Sequence, residues 1–153
     1  RHTRSSLVRG LGDVYKRQRM FRDLNHIYRE HPALWQMDSD PRGFTWINAN
    51  DAGGNVFSWL RRSEDGETIA CLTNFSPNPQ TQYSIGLPRT GVWQEIFNSD
   101  AAEYDGTGQF GNLGRVVAHA CADNDSWPAR ATVCVPSLGS VWLRFTPEDT
   151  QQY

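Results

Sequence analysis

The sequence predicts a mainly β fold, an antiparallel β-sandwich that is preceded by one or two helices. From residue 44 onward, apolar residues alternate with polar ones in short runs, which is the period of a strand with one face in a core. Glycine, proline, asparagine and aspartate lie between most of these runs and mark turns. Strands that follow one another in this way, without helical patterns between them, are typical of a sandwich.

The first eighteen residues differ from the rest of the chain in charge and in pattern. Residues 1–18 carry five basic residues, including the only lysine, Lys16, against the single acidic residue Asp13, whereas the remainder is acidic. Their run D-V-Y-K-R-Q resembles a translated linker or adapter, and the alternative, a basic targeting segment, lacks the apolar stretch of a secretion signal. We therefore predict that residues 1–18 are a non-native segment derived from a linker or adapter, and that the native sequence starts near Arg19 and is truncated upstream.

A helix is predicted over Arg19–Glu30, because its apolar residues recur at helical spacing. They share one face: Met20, Phe21, Leu24, Ile27 and Tyr28. His31 and Pro32 end or redirect this helix, since the residue before a proline avoids the helical conformation, and Pro32 can open a short second helix through Met37. An apolar stripe of this kind normally lies against another element, and the sequence offers no second helix to cover it.

Eight strands are predicted from the alternating runs and the turns between them. They are residues 44–48, 55–62, 67–75, 81–87, 92–97, 115–119, 130–136 and 139–146. The turn Ser63-Glu-Asp-Gly66 indicates a hairpin between the second and third strands. Residues 98–114 are predicted to form a long glycine-rich loop, and residues 120–129 a second irregular loop.

Composition and charge disfavour several classes of partner. With a net charge of −2 and an acidic body, the chain is a poor ligand for polyanions, so we expect neither a nucleic-acid nor a membrane partner. No apolar run approaches the roughly 20 residues of a membrane-spanning helix. Cys71, Cys121 and Cys134 have no paired metal-type spacing, and an odd number of cysteines without a signal peptide predicts a reducing, cytoplasmic location.

The titratable residues predict no catalytic residue, no cofactor and no metal site. The pairs Asp38 with Asp40 and Glu64 with Glu67 lie in turn segments, where solvated carboxylates are expected rather than an acid–base pair. Three histidines lack the spacing of metal ligands: His26, His31 and His119. The glycine-rich stretches lack the lysine and the following helix of a phosphate-binding loop.

A series of longer motifs carries a family resemblance. In chain order they are R-D-L-N-H-I-Y-R-E-H-P-A-L, D-P-R-G-F-T-W-I, L-T-N-F-S-P-N-P, G-V-W-Q-E-I-F-N-S-D-A-A-E-Y-D-G, G-N-L-G and V-P-S-L-G-S-V-W-L. Together they resemble the C-terminal all-β domain, with the last barrel helix, of a bacterial 1,4-α-glucan (glycogen) branching enzyme of the α-amylase superfamily. The resemblance covers residues 19 to 146 and departs from the family pattern in residues 120–129.

The resemblance implies a division of the chain and an activity for its parent. Residues 19–37 would be the terminal helices of a missing (β/α)₈ barrel, residues 38–147 the C-terminal all-β domain, and residues 148–153 a tail. The parent enzyme would perform a retaining glycosyl transfer that moves α-1,4-glucan chains to a 6-hydroxyl, making α-1,6 branches in glycogen. Its catalytic carboxylates would lie on barrel strands ahead of Arg19, so this fragment alone is predicted to be inactive.

The implied partners are α-glucan (glycogen or amylose), bound through the parent enzyme, and the missing barrel itself. The aromatic residues in strand segments, Trp46, Trp93 and Trp142, are predicted to pack in the core or at the barrel interface. Trp127 and Tyr104 lie in the irregular loops and are the candidates for glucan contact. The alternative is a non-catalytic carbohydrate-binding or purely structural β-domain of another α-amylase superfamily enzyme.

Overall fold

In its computed structural model the protein is described over residues 3–123 and 125–147, so the predicted tail, residues 148–153, lies outside the described part. Within these residues one α-helix, α1 (Thr3–Glu30), precedes eight strands. The strands are β1 (Phe44–Asn48), β2 (Val56–Arg62), β3 (Thr68–Asn74), β4 (Gln80–Leu87), β5 (Gly91–Asn98), β6 (Arg115–Ala120), β7 (Ala129–Val135) and β8 (Ser140–Thr146). The mainly β prediction is confirmed, and the ends of each predicted strand agree with the structure to within one residue.

The strands form one antiparallel sheet in the order β1-β2-β3-β8-β5-β6-β7-β4. The two ends of this sheet enclose a common hydrophobic core, because its buried residues come from both ends. They include Leu60, Ala70 and Leu72 from β2 and β3, and Ile85, Leu87, Ala131 and Val133 from β4 and β7. The layers of the predicted sandwich are therefore two parts of one continuous sheet.

The predicted hairpin is present, with β2 and β3 paired along their whole lengths. In its turn, the Ser63 N–H donates to the carbonyl of Glu67 at 3.0 Å. Gly66 has a φ of 89°, in the left-handed region that glycine enters without a steric cost. The turn chemistry thus places Glu67 immediately before β3.

Trp93, predicted to lie in the core or at a barrel interface, is a core residue with no exposed surface. Its ring centre is 5.3 Å from that of Phe145. Its indole N–H donates to the carbonyl of Arg89 at 3.2 Å. The ring is thus buried while its one polar group keeps a partner, as buried tryptophans require.

Helix α1 begins at Thr3, so the prediction of a helix that starts near Arg19 was wrong. Lengthening a formed helix adds one hydrogen bond per residue without the cost of a new nucleus. Seven of residues 3–18 are good helix formers, namely three arginines, two leucines, one lysine and one glutamine, and the helix continues there without an apolar stripe. The non-native origin of residues 1–18 stays a prediction.

The chain leaves the α-helical conformation after Glu30, as His31 and Pro32 predicted. The second helix, expected to reach Met37, is only a 3₁₀ helix over Pro32–Leu34. It ends at once because Trp35 has φ −143° and ψ −28°, outside the helical region. No helix in residues 3–123 or 125–147 is both long and apolar enough to cross a membrane.

Polar contacts join α1 to the loop between β5 and β6. The Tyr104 hydroxyl donates to a carboxylate oxygen of Asp23 at 2.7 Å. The Lys16 ammonium group lies 2.5 Å from the carboxylate of Asp105. The helix therefore rests on a loop of the β-domain, through a contact between residues 81 positions apart, which local sequence patterns do not reveal.

A largely buried carboxylate, Glu67, fastens the segment after α1 to the sheet. Its Oε2 accepts hydrogen bonds from His31 Nδ1 at 3.0 Å and from Arg144 Nε at 2.8 Å. Its Oε1 accepts the backbone N–H of Ala33 at 3.0 Å. Burial pushes the pKa of Glu67 up, but these hydrogen bonds outweigh it and hold that pKa below its ordinary value.

Candidate functional site

Four aromatic side chains form an exposed surface beside the edge strand β1. This aromatic patch consists of Trp46, Phe57, Trp59 and Phe75, around a shallow apolar depression. The ring centres of Trp46 and Trp59 are 6.1 Å apart, and those of Phe57 and Phe75 are 5.5 Å apart. Trp46 is 51% exposed and Phe75 is 62% exposed. Contiguous exposed apolar surface of this kind marks a site of interaction.

The register of the first two strands builds the aromatic patch. Trp46 of β1 lies directly opposite Trp59 of β2. Phe57 precedes Trp59 by two residues, so both side chains point to the same face of the sheet. Phe75 follows β3 and is held alongside by a hydrogen bond from its N–H to the carbonyl of Asn55 at 3.0 Å.

The prediction that Trp46 packs in the core was wrong, because half of its side chain is exposed. The available signal was the alternation in β2, where Val56 and Leu60 are buried in the core. Phe57 and Trp59 must then face the other side, and Trp46 joins them through strand pairing. The alternative placement of Trp46, at an interface with a barrel, stays a prediction.

A second apolar surface is the groove between α1 and the sheet, a cavity of about 520 Å³. Its apolar lining is Met20, Phe21, Leu24 and Tyr28 from α1, and Phe97, Leu138 and Trp142 from the β-domain. Phe21 is 67% exposed and Leu138 is 71% exposed, so the groove is open to solvent. Trp142, predicted for the core or the barrel interface, is half-buried here with its ring centre 5.1 Å from that of Phe97.

Tyr104, one of the two predicted glucan contacts, is half-buried at the junction between α1 and its loop. Its hydroxyl is engaged by Asp23, and its ring centre lies 5.9 Å from that of Phe97. Burial raises the pKa of Tyr104, and the hydrogen bond to the Asp23 carboxylate adds to that rise. The role of Tyr104 in binding glucan stays a prediction, and its observed contacts join the helix to the sheet.

Trp127, the other predicted glucan contact, is half-buried and lies over β4. A Cβ atom at Gly86 would overlap the indole ring, so glycine permits this close approach. The backbone N–H of Trp127 donates to Asp125 at 3.1 Å. Hydrogen bonds from the Arg130 side chain and from this N–H hold the pKa of Asp125 at about 2. Trp127 therefore stands in a preformed loop, and its glucan contact stays a prediction.

The carboxylates considered in the sequence are engaged in structural contacts. Asp38 pairs with Arg61. Hydrogen bonds from the side chain and backbone of Arg42 hold the pKa of Asp40 at about 2. Among the described residues, no group of three or more histidine, cysteine, aspartate or glutamate side chains is placed to hold a metal ion. The two surfaces described above, the aromatic patch and the groove beside α1, are apolar, and such surfaces suit a binding role.

Sequence relatives agree with this architecture. The model of the family described as alpha amylase, C-terminal all-beta domain, matches residues 46–146. The 1,4-alpha-glucan branching enzyme GlgB of Cutibacterium acnes is 68% identical over 133 residues, which are 87% of this chain and 21% of that protein. The enzyme of the same name from Rhodococcus jostii is 49% identical over 128 residues, 82% of this chain and 17% of that protein. The Mycobacterium tuberculosis enzyme is 46% identical over 129 residues, with the same coverage.

Among solved structures, that of an alpha-amylase from H. orenii covers 84% of this chain and 20% of its own, with a TM-score of 0.47 and 18% identity. The chain spans about a fifth or less of the length of the relatives it matches. The matched residues 46–146 begin within β1 and run to the end of β8. The chain therefore belongs to the family of alpha amylase C-terminal all-beta domains.

Proposed function

We propose that the chain is the C-terminal part of a cytoplasmic 1,4-α-glucan branching enzyme, which transfers α-1,4-glucan chains to a 6-hydroxyl and makes the α-1,6 branches of glycogen. The observation that carries this proposal is the 68% identity, over 87% of the chain, to a relative of that name. The free thiols of Cys71, Cys121 and Cys134 agree with a reducing compartment.

In this proposal the chain supplies support and binding rather than the reacting groups. A retaining transfer needs a carboxylate nucleophile and a second carboxyl group, about 5–5.5 Å apart, that acts first as acid and then as base. Asp38, Asp40 and Glu67 are each held by an arginine, which favours a structural role for them. We therefore assign the reacting carboxylates to a barrel that precedes residue 19 in the full enzyme.

We further propose that the open groove beside α1 receives this barrel. Residues 19–37 would complete the barrel, and residues 38–147 would form the β-domain packed on it. The support is the exposure of Phe21, Tyr28 and Leu138 around the groove, since large apolar side chains gain about 1.5–3 kcal/mol each when they are fully buried.

The surface of this domain best suited to glucan is the aromatic patch. Sugar rings have apolar faces that stack on aromatic rings, and the patch presents several rings side by side. Trp46 is the most favourable single platform, because tryptophan offers the largest ring and this one is half exposed. The patch is thus proposed as a glucan contact in addition to the loop residues Trp127 and Tyr104.

A branching assay tests the proposed activity. The purified chain, incubated with amylose, is expected to change neither the iodine absorbance nor the number of reducing ends. The complete reading frame, which includes the coding sequence upstream of residue 19, is expected to lower the iodine absorbance without a matching rise in reducing ends. Turnover by the purified chain, or a complete frame without branching activity, would show the assignment to be wrong.

A second prediction concerns glucan binding by the aromatic patch. Trp46→Ala is expected to weaken binding to amylose roughly tenfold, which corresponds to about 1.4 kcal/mol, because it removes the half-exposed tryptophan ring of the patch. Affinity electrophoresis in gels with and without amylose measures this change. Trp35→Ala is the matched control, since Trp35 is a 41% exposed tryptophan outside the patch. Equal retardation of the wild type and Trp46→Ala would contradict the prediction.

A further inference from the structure

A separate cavity lies where the two edge strands of the sheet, β1 and β4, approach each other. This seam cavity measures about 210 Å³. Among its lining residues are Asn48, Ser58, Tyr83, Ser84, Trp127 and Arg130. The cavity is smaller than the roughly 300–1,000 Å³ of pockets that take drug-sized ligands. It therefore suits a ligand no larger than a single sugar ring.

Ser58 places a buried polar group at the floor of the seam cavity. It points inward from β2 between Val56 and Leu60, at a position where the strand pattern calls for an apolar residue. It has no exposed surface, and within residues 3–123 and 125–147 its hydroxyl has no hydrogen-bond partner. Buried hydroxyls in native proteins nearly always have a partner, but this hydroxyl has no accessible surface and is therefore not a contact for a ligand in the cavity.

The indole of Trp127 forms the aromatic wall of the cavity, and its backbone is anchored next to the ring. The backbone N–H of Trp127 donates to Asp125 at 3.1 Å, and Arg130 Nε donates to the same carboxylate at 2.6 Å. Gly86 lets the indole lie directly on the backbone of β4. A wall that is already ordered loses little conformational entropy when a ligand stacks on it.

The width of the cavity is fixed by a contact across the seam. The Tyr83 hydroxyl of β4 donates to Asp51 Oδ2 at 2.7 Å, and Asp51 Oδ1 accepts the N–H of Gly54 at 2.8 Å. This ties the loop between β1 and β2 to β4. On the β7 side, Arg130 Nη1 lies 3.5 Å from Ser84 Oγ, so a guanidinium and a hydroxyl face the same space.

We propose that the seam cavity binds a single terminal glucosyl residue of an α-glucan, an inference that rests on the proposed function. A pyranose has an apolar face, which suits the indole of Trp127, and a rim of hydroxyls, which suits the exposed Ser84 and Arg130. Ser58 and Trp59 are consecutive in β2 and point to opposite faces of the sheet. The seam cavity and the aromatic patch are therefore two separate glucan sites on one strand.

Fluorine NMR of the whole chain tests this proposal. The protein is labelled with 5-fluorotryptophan, and the variants Trp127→Phe, Trp46→Phe and Trp59→Phe assign three of the resonances. In a titration with maltose, the Trp127 resonance is expected to shift and to saturate. Ser84→Phe fills the cavity from a solvent-exposed position. It is expected to raise the maltose dissociation constant obtained from the Trp127 resonance at least tenfold, while the Trp46 and Trp59 resonances respond to maltose as in the wild type.

Two further variants make the outcome decisive. Arg130→Gln, made in the wild-type background, removes the guanidinium and is expected to weaken the response of the Trp127 resonance to maltose while the cavity stays open. Trp46→Ala is the control, and it is expected to leave the Trp127 response unchanged. A Trp127 resonance that does not move with maltose, or that moves equally in Ser84→Phe, overturns the proposal. If the Trp127 resonance does not respond to maltose but the complete enzyme branches amylose, the seam site alone is rejected. If the Trp127 resonance shifts and saturates but the complete enzyme has no branching activity, the proposed enzyme function alone is rejected.

Discussion

Replacing Glu67 by alanine is expected to lower the free energy of unfolding by about 3 kcal/mol, because it removes the shared acceptor of three hydrogen bonds. The donors are His31 Nδ1, the Ala33 N–H and Arg144 Nε. Alanine would leave the Arg144 guanidinium without its carboxylate and the Ala33 N–H without a partner. Urea denaturation followed by tryptophan fluorescence measures the change.

The matched control for this prediction is Glu64→Ala in the same hairpin. Glu64 is exposed, and its hydrogen bond to Gln36 is made by its backbone N–H, which alanine retains. Surface substitutions of this kind usually change stability by less than about 0.5 kcal/mol. A Glu67→Ala variant no less stable than Glu64→Ala would show that Glu67 does not fasten the segment after α1 to the sheet.

The same carboxylate predicts how stability changes with pH. The pKa of Glu67 lies below its ordinary value in the folded protein, so ionised Glu67 favours the folded state. Its contribution is fully present above the unfolded pKa of about 4.3 and is lost as the pH falls through the lower folded pKa. The wild type should therefore lose stability in this acid range more steeply than Glu67→Gln, as measured by urea midpoints at a series of pH values.

Local sequence patterns were sufficient for the strands. Each strand shows a period of two, and turns such as Ser63–Gly66 lie between them, so alternation and turn chemistry place strand ends to within one residue. Such patterns do not show how the sheet closes. The meeting of β1 and β4 depends on contacts between distant residues, among them the hydrogen bond from Tyr83 to Asp51.

Because local patterns do not show contacts between distant parts of the chain, the structure differs from the sequence predictions for Trp46 and for helix α1. Alternation in β2 separates Phe57 and Trp59 from the core residues, but it cannot show whether their face is covered. The sequence therefore left two placements for Trp46, the core and the barrel interface, and its exposure excludes the core. Helix α1 was cut at Arg19 because residues 3–18 lack an apolar stripe, although polar helix formers propagate a helix as well.

The groove beside α1 is expected to make the isolated chain self-associate. Phe21 and Tyr28 are 67% and 48% exposed on one helical face, opposite the exposed Leu138. Monomeric soluble proteins rarely expose a contiguous apolar surface of this kind. Replacing Phe21 and Tyr28 by serine should weaken association by at least about 100-fold, since each buried aromatic side chain contributes about 1.5–3 kcal/mol. Sedimentation velocity over a range of concentrations measures this.

The control is Tyr15→Ser, which removes a 68% exposed aromatic residue of α1 that does not line the groove, and it should leave association unchanged. Because Phe21 and Tyr28 are exposed, their double substitution should leave the melting temperature of the β-domain nearly unchanged. A wild-type chain that stays monomeric at high concentration, together with a double variant that melts many degrees lower, would contradict this. The two side chains would then stabilise the contact of α1 with its own sheet, and the groove would not be the surface that receives a barrel.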